Sequence, residues 1–120
     1  MSHDYVFALP WPPSINTYWA TYQNRRITSK KGREYRSEVI EIMKSKKLFG
    51  ENVSGDIAVH ITLMPKANFR YDVDNFNKAI FDALTHSEFW RDDCQVVRLT
   101  IEKGEKITSG RALIKITKLN

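Results

Sequence analysis

The chain has 120 residues, of which 42% are hydrophobic, and it carries a formal net charge of +5. This length predicts a single domain over residues 1–120, with a core small enough that dimerisation would be a natural supplement. One cysteine, Cys94, excludes an intrachain disulfide framework and a multi-cysteine zinc site, and it is typical of a reducing compartment. No apolar run is long enough to span a membrane and no signal-peptide pattern is present, so we expect a cytoplasmic protein with no membrane partner.

The first predicted elements are a short strand and an aromatic loop. Residues 6–9 predict a strand, which the proline-rich segment 10–13 ends because proline lacks the N–H donor that a strand ladder needs. Residues 14–19 predict a loop or a short edge strand. Aromatic rings in this region can stack on exposed bases, but such rings more often form core or dimer contacts, which is the interpretation we favour. These aromatic residues are Trp11, Tyr18, Trp19 and Tyr22.

Positive charge is concentrated in the first part of the chain. Residues 1–50 carry nine Lys and Arg against four Asp and Glu, whereas residues 51–120 carry ten of each kind. Most of the excess lies between residues 25 and 36, which predicts a phosphate-binding surface. The equally weighted alternative is an ordinary solvated start of a helix. The candidate nucleic-acid-binding residues of this patch are Arg25, Arg26, Lys30, Lys31 and Arg36.

The periodicity of the next segments predicts one helix and three strands. The helix is capped by Thr28 or Ser29 and runs to about Lys47, with an apolar face at the helical spacing. Residues 56–64 alternate as in a half-buried strand, and residues 96–102 and 112–116 predict an antiparallel hairpin. The apolar face of the helix consists of Tyr35, Val39, Ile42 and Met43.

An acidic motif follows the strand at 56–64. If the backbone is extended there, the carboxylates of Asp72 and Asp74 leave on the same face, and Asp74 or Asn75 then caps a second helix. Lys78 lies off the apolar stripe of this helix, where it can reach the carboxylates or a phosphate, or simply pair with Asp82. The apolar stripe consists of Phe76, Ala79, Ile80, Ala83 and Leu84.

A second acidic pair, Asp92 and Asp93, lies in a predicted turn before the strand at 96–102. Three converging carboxylates are a common way to hold Mg²⁺, which prefers hard oxygen ligands. Spacing alone does not choose between Asp92 and Asp93. The alternative is that all these acids are helix caps and turn residues. The second pair, Lys78 and the basic patch together favour a metal-dependent nuclease.

Several motifs occur in one order and spacing over nearly the whole chain. Together they resemble the RusA family of Holliday junction resolvases. The motifs are Leu9-Pro-Trp-Pro-Pro-Ser14, Tyr35-Arg36, Asp72-Val-Asp-Asn75, Lys78-Ala-x-Phe-Asp82-Ala-Leu and Phe89-Trp-x-Asp-Asp-x-Gln95-Val-Val97.

This resemblance implies an α+β fold, with a small mixed β-sheet packed against two helices, and a homodimer in which the acids of both subunits lie near the interface. It implies a phage or prophage endonuclease that cuts four-way DNA junctions by symmetric paired nicks and requires Mg²⁺ or Mn²⁺. The essential metal-binding acids correspond to Asp72, Asp74 and Asp93, the essential lysine to Lys78, and a functional basic residue to Arg70. The competing hypotheses are a basic dimer that binds branched DNA without cutting it, and a Mg²⁺-dependent nuclease for RNA or another branched DNA.

Overall fold

The computed structural model describes residues 4–119, which form a four-stranded sheet, a separate two-stranded hairpin and three α-helices. The mixed α+β architecture expected from the sequence is confirmed. The strands are β1 (Asp4–Leu9), β2 (Trp19–Tyr22), β3 (Arg25–Thr28), β4 (Ile57–Met64), β5 (Val96–Lys103) and β6 (Arg111–Lys118). The α-helices are α1 (Ile15–Tyr18), α2 (Lys30–Ser45) and α3 (Asn77–His86). Two single-turn 3₁₀ helices, the first acidic turn (Val73–Asn75) and the second acidic turn (Asp93–Gln95), carry acids of the predicted site.

The main sheet has the strand order β1-β6-β4-β5, with β4 and β5 parallel and the other neighbours antiparallel. The predicted hairpin between the last two strands is therefore wrong. Strand β4 lies between them because its buried alternate residues place it at the centre of the sheet, where both of its edges are paired. The connection from β5 to β6 crosses the end of β4, and the N–H of Gly104 donates to the carbonyl of Leu63 at 2.7 Å.

The core lies between the sheet and the two long helices. Alternate residues of the inner strands are buried together with the apolar faces of α2 and α3. The predicted stripe of α3 is confirmed, since each of its five residues is 6% exposed or less. Between residues 4 and 119, no helix is long and apolar enough to cross a membrane.

The two long helices begin differently. The Oγ of Ser29 accepts the N–H of Gly32 at 3.0 Å, so Ser29 is the one of the two predicted candidates, Thr28 and Ser29, that caps α2. The predicted cap of α3 is wrong, because the chain first forms the first acidic turn and α3 then starts behind Phe76 without a side-chain cap. The carboxylate of Asp74 is therefore not used to satisfy the start of α3.

Residues 14–19, expected as a loop or a short edge strand, form the short helix α1 and the start of the β2–β3 hairpin. Gln23 and Asn24 connect the two strands, with φ angles of 50° and 61°. Positive φ at both central residues is what a two-residue hairpin turn with the twist of the strands requires. The hairpin places Arg25 and Arg26 on its returning strand.

A half-buried ion pair ties this hairpin to both long helices. The guanidinium of Arg36, on α2, donates to the carboxylate of Asp82, on α3, at 2.8 Å and to the hydroxyl of Thr28, at the end of β3, at 3.3 Å. The buried Tyr18 donates its hydroxyl to the same carboxylate. Arg36, predicted as a DNA-binding residue, thus has its charge directed into the protein, because Asp82 neutralises it there. Asp82 is paired with Arg36 and not, as the sequence also allowed, with Lys78.

We predict that Asp82→Asn lowers the free energy of unfolding at pH 7 by about 2 kcal/mol, because a charge-assisted pair loses its anion. Burial alone would raise the pKa of Asp82, but hydrogen bonds from Tyr18 and Arg36 and the charge of Arg36 outweigh it and hold the pKa below its usual value. Such a carboxyl stabilises the fold above its unfolded-state pKa, about 3.9, and loses that contribution as the pH falls through the lower folded-state pKa. Urea unfolding of wild type and variant should therefore differ most near neutral pH and converge below about pH 4.

The matched control is Glu41→Gln, since Glu41 pairs with Lys44 at 3.9 Å on the exposed side of α2. This variant should change the free energy of unfolding by less than about 0.5 kcal/mol. An unfolding difference for Asp82→Asn that stays constant from neutral to acid pH would contradict the assigned role of the ion pair.

Candidate active site

The two acidic turns share α3 as a neighbour. The first acidic turn leads directly into α3 and contacts β5, and the second acidic turn contacts α3 and leads into β5. Asp72 and Asp74 are exposed, whereas Asp93 is half-buried. Asp72 has extended backbone and Asp74 lies in the 3₁₀ turn, so the pair is not held on one face of an extended strand. In the described part of the chain, no group of three or more His, Cys, Asp or Glu side chains is gathered closely enough to hold a metal ion.

Asp93 has the most perturbed surroundings of the predicted acids. Burial raises the pKa of its carboxyl, and a hydrogen bond with Asp92 raises it further, while the charge of Lys78 acts in the opposite direction. The net shift is upward. Lys78 therefore lies within electrostatic range of Asp93, and the predicted lysine and the predicted third acid act on each other.

A network of hydrogen bonds holds the second acidic turn. The side-chain oxygen of Gln95 accepts the N–H groups of Arg91 and Asp92 at 2.9 and 3.0 Å, and its amide nitrogen donates to the carbonyls of Val53 and Gly55, both at 2.9 Å. The carboxylate of Asp92 accepts the N–H of Cys94 at 3.0 Å, which completes a capping box. Asp92 thus shapes the turn that presents Asp93.

The sequence prediction did not include Gln95 among the site residues. The signal for it was present, because an acid followed by Gln three residues later is the capping-box pattern.

Lys78 lies beside the indole of Trp19. Its Nζ is 5.8 Å from the ring centroid, and the guanidinium carbon of Arg26 is 4.3 Å from the same centroid. Cations near the face of an indole are attracted by its quadrupole. Trp19, expected as a core or dimer residue, is half-buried and joins the basic hairpin to the predicted lysine.

The remaining predicted basic residues are exposed. Arg25 lies on the hairpin, Lys30 and Lys31 lie in the first turn of α2, and Arg70 lies in the loop that precedes Asp72. The structure thus distributes these charges over the hairpin, the adjoining start of a helix and one loop.

Exposed carboxylates, a lysine beside a third acid and an arginine-bearing hairpin are residue types suited to binding phosphate groups, with or without a divalent cation. The family described as Endodeoxyribonuclease RusA matches residues 10–117. The chain is 38% identical over 117 residues to the crossover junction endodeoxyribonuclease rusA of Enterobacteria phage HK97, covering 98% of this chain and 97% of that protein. It is 36% identical over 115 residues to the crossover junction endodeoxyribonuclease RusA proteins of Escherichia coli strain K12 and Enterobacteria phage 82, covering 96% of this chain and 95% of each relative. The chain therefore belongs to the endodeoxyribonuclease RusA family, which confirms the resemblance noted from its motifs.

The exposed thiol of Cys94 reports on the second acidic turn. The charge of Asp92 raises the pKa of this thiol, and the thiolate is the reactive form. We predict that Asp92→Asn increases, several-fold at pH 7.5, the rate at which an aromatic disulfide reagent modifies Cys94. Asparagine keeps the side-chain oxygen that caps the turn, so the geometry is retained.

The measurement is the pH profile of the modification rate, with Glu41→Gln as a control that should react like the wild type. Identical profiles for Asp92→Asn and the wild type would mean that the turn does not hold the carboxylate beside the thiol.

Proposed function

We propose that this chain is a single-domain, homodimeric endonuclease of the cytoplasm that resolves four-way DNA junctions by symmetric paired nicks, with Mg²⁺ or Mn²⁺ as its cofactor. The relatives' names support the reaction and the substrate. The observation that carries the proposal is the pair of exposed carboxylates, Asp72 and Asp74, on the turn that leads into the helix bearing Lys78.

The chemistry of the donors fits a hard divalent cation. Asp72 and Asp74 are exposed, and neither caps α3, so their oxygens are available. Mg²⁺ is typically held by one or two carboxylates together with water and substrate phosphate. Asp72, Asp74 and Asp93 would hold the cation, with Asp93 joining the exposed pair by a movement of its turn or side chain. The bound cation supplies a water of lowered pKa and neutralises charge on the phosphate.

Lys78 supplies a positive charge to the same phosphate. Its ammonium group acts as a point charge with three donors, which suits the charge that develops on the oxygens of a phosphodiester under attack. Trp19 limits where this flexible side chain can lie. The guanidinium of Arg26 lies over the same ring. Trp19 therefore positions both the hairpin that contacts DNA and the lysine that contacts the scissile phosphate.

The basic hairpin and the start of α2 position the DNA. Four basic side chains on these elements are exposed, namely Arg25, Arg26, Lys30 and Lys31. Their contacts with phosphates would not distinguish one DNA sequence from another, since the phosphate is the same for every base. They offset the repulsion between the acidic turns and the DNA backbone. Arg70, beside Asp72, acts in the same way at the site itself.

The edge strand β5 supports a dimer. Leu99 pairs with Val59 and so points to the core side of the sheet, yet it is 39% exposed, and Val97, at the bulge of β5, is 57% exposed. A second copy is the occupant that the proposal requires, because a two-fold dimer offers one site to each of two symmetry-related strands. The contact of β5 with the first acidic turn would place the interface beside the acids.

Two alternatives have distinct signatures. A dimer that binds branched DNA without cutting it would use the same basic hairpin. Its acids would only stabilise turns, as the carboxylate of Asp92 does. A nuclease for another branched nucleic acid would use the same site on a different substrate. Metal dependence of cutting separates the first alternative from the proposal, and competition between four-way, three-way and duplex substrates separates the second.

We predict that Asp74→Asn abolishes nicking of a four-way junction and leaves junction binding within a few-fold of the wild type. The substitution removes one negative charge from the cation site at nearly constant shape. The assay compares end-labelled junctions with Mg²⁺ and with EDTA, beside a gel-shift measurement of binding.

Glu105→Gln, an exposed acid in the loop between β5 and β6, is the control and should cut normally. Symmetric, Mg²⁺-dependent nicks that persist in Asp74→Asn would refute the assigned cation site. Junction binding without nicks under any divalent cation would favour the binding protein.

Reversal of charge on the hairpin, in Arg25→Glu with Arg26→Glu, should weaken junction binding. The slope of the logarithm of the binding constant against the logarithm of salt concentration should become shallower by about 0.9 for each phosphate that the variant no longer neutralises. The matched control reverses Lys44 and Lys46, which are exposed in and just after the last turn of α2. An unchanged slope in the hairpin variant would mean that the hairpin faces away from the DNA.

A further inference from the structure

An aromatic cluster adjoins the first acidic turn and is open to solvent at one end. The ring centroid of Trp11 lies 5.1 Å from that of Phe76, 5.6 Å from that of Tyr71 and 5.9 Å from that of Phe69. Phe76 is buried, Trp11 and Tyr71 are half-buried, and Phe69 is 51% exposed. The cluster is therefore anchored in the core and ends in an exposed phenylalanine.

The ring of Phe69 is supported by its neighbours. It lies 4.9 Å from the ring of Tyr71 at an interplanar angle of 36° and meets Trp11 at 67°. A ring held in this way keeps a fixed orientation and loses little conformational freedom when something stacks on it. Isolated exposed apolar side chains need no explanation. Phe69 is not isolated, because two other rings support it and only Arg70 and Tyr71 separate it from Asp72 in the chain.

Open space of suitable size lies beside Phe69. One groove of about 540 Å³ is lined by Phe69, Trp11 and prolines 12 and 13 on one side and by Glu34 and Glu38 on another. This volume is in the range of small-ligand sites. Lys31 also lines the groove, so two carboxylates face one ammonium group there. The excess of negative charge disfavours a phosphate, so the part of a nucleotide that fits is the flat, uncharged base.

Three further basic residues lie close to the cluster. Lys66 lines a smaller pocket with Phe69 and Trp11, Arg70 follows Phe69 in the chain, and the Nζ of Lys103 is 4.6 Å from the ring centroid of Tyr71. These cations complement the phosphates that flank a base. The exposed ring and the cations around it thus match the two halves of a nucleotide.

We infer that Phe69 is a stacking surface for a base of the DNA substrate, exposed where strands exchange at a branch point, with Trp11 and Tyr71 as its support. This inference rests on the proposed function and adds a contact to the base next to the cleavage site. Base pairs at a branch lose a stacking neighbour, so a protein ring can replace it without the full cost of opening a duplex. Stacking on an aromatic ring accepts any base, since every base has a π face.

The test uses a four-way junction with 2-aminopurine at the branch point and a second junction with 2-aminopurine in the middle of an arm. Binding is measured in EDTA, which stops cutting that depends on a divalent cation. We expect wild type and Phe69→Tyr to change the emission of the branch-point probe and not that of the arm probe. Phe69→Leu keeps an apolar side chain without a π face and should lose this change, with an affinity about ten-fold lower.

The matched control is Phe49→Leu, since Phe49 is also exposed, at 38%, and has a cation, Lys44, 5.2 Å from its ring centroid, but lies just after α2. It should behave like the wild type. The inference is overturned if Phe69→Leu retains the emission change, or if sedimentation shows that Phe69→Leu dissociates the dimer, which would make the ring a subunit contact. A third outcome separates the two proposals: the wild type nicks no junction in Mg²⁺, yet Phe69→Leu loses the emission change of the branch-point probe. This outcome supports the stacking surface and overturns only the proposed function.

Discussion

The Arg36–Asp82 ion pair is the interaction on which the arrangement of the site depends. It joins α2 to α3, and through Thr28 and Tyr18 it fixes both ends of the segment that forms the hairpin. The hairpin is also held by the guanidinium of Arg33, which donates to the carbonyl of Thr28 at 2.7 Å, and by the contact of Lys78 with the ring of Trp19. Because α3 also carries Lys78 and contacts both acidic turns, one ion pair links the basic hairpin to the helix that carries the proposed lysine and adjoins the proposed acids. Removing one partner of such a pair destabilises the fold, because the other charge is left unpaired. Replacing both partners by apolar residues would change the net stability little, so the role of the pair is to select one arrangement among several with similar packing.

Much of the fold follows from local patterns in the sequence. The stripe of α3, the cap at Ser29 and the alternation of β4 were predicted, because each depends on residues close together in the chain. The pairing of strands was not. The periodicity of β5 and β6 is the same whether they pair with each other or flank β4, and the choice depends on burial along β4, which is distant in sequence. The β2–β3 hairpin was missed because Gln23 and Asn24 are a weaker turn signal than a pair that contains glycine.

The residue types of the candidate site were apparent from the sequence, whereas the contacts that support them were not. Acids and a lysine in a basic protein point to phosphate chemistry from residue types alone, and the order of the motifs led to the family. The supports of the site involve residues far apart in the chain, such as Trp19 beside Lys78 and Gln95 against the segment at Val53. Arg36 was placed with the DNA-binding residues because charge counts do not distinguish an inward from an outward guanidinium.

The pairing of β1 with β6 has a consequence for how the enzyme is made. In this pairing Asp4 lies opposite Thr117. Strand β6 also pairs with β4 along the whole length of β4. A ribosome therefore synthesises the hairpin, both acidic turns and α3 before the strand that completes the sheet. Contacts between distant parts of a chain form late and slowly. The nascent chain thus carries the candidate site before the frame that aligns it, and the sheet is complete only once β6 has been made.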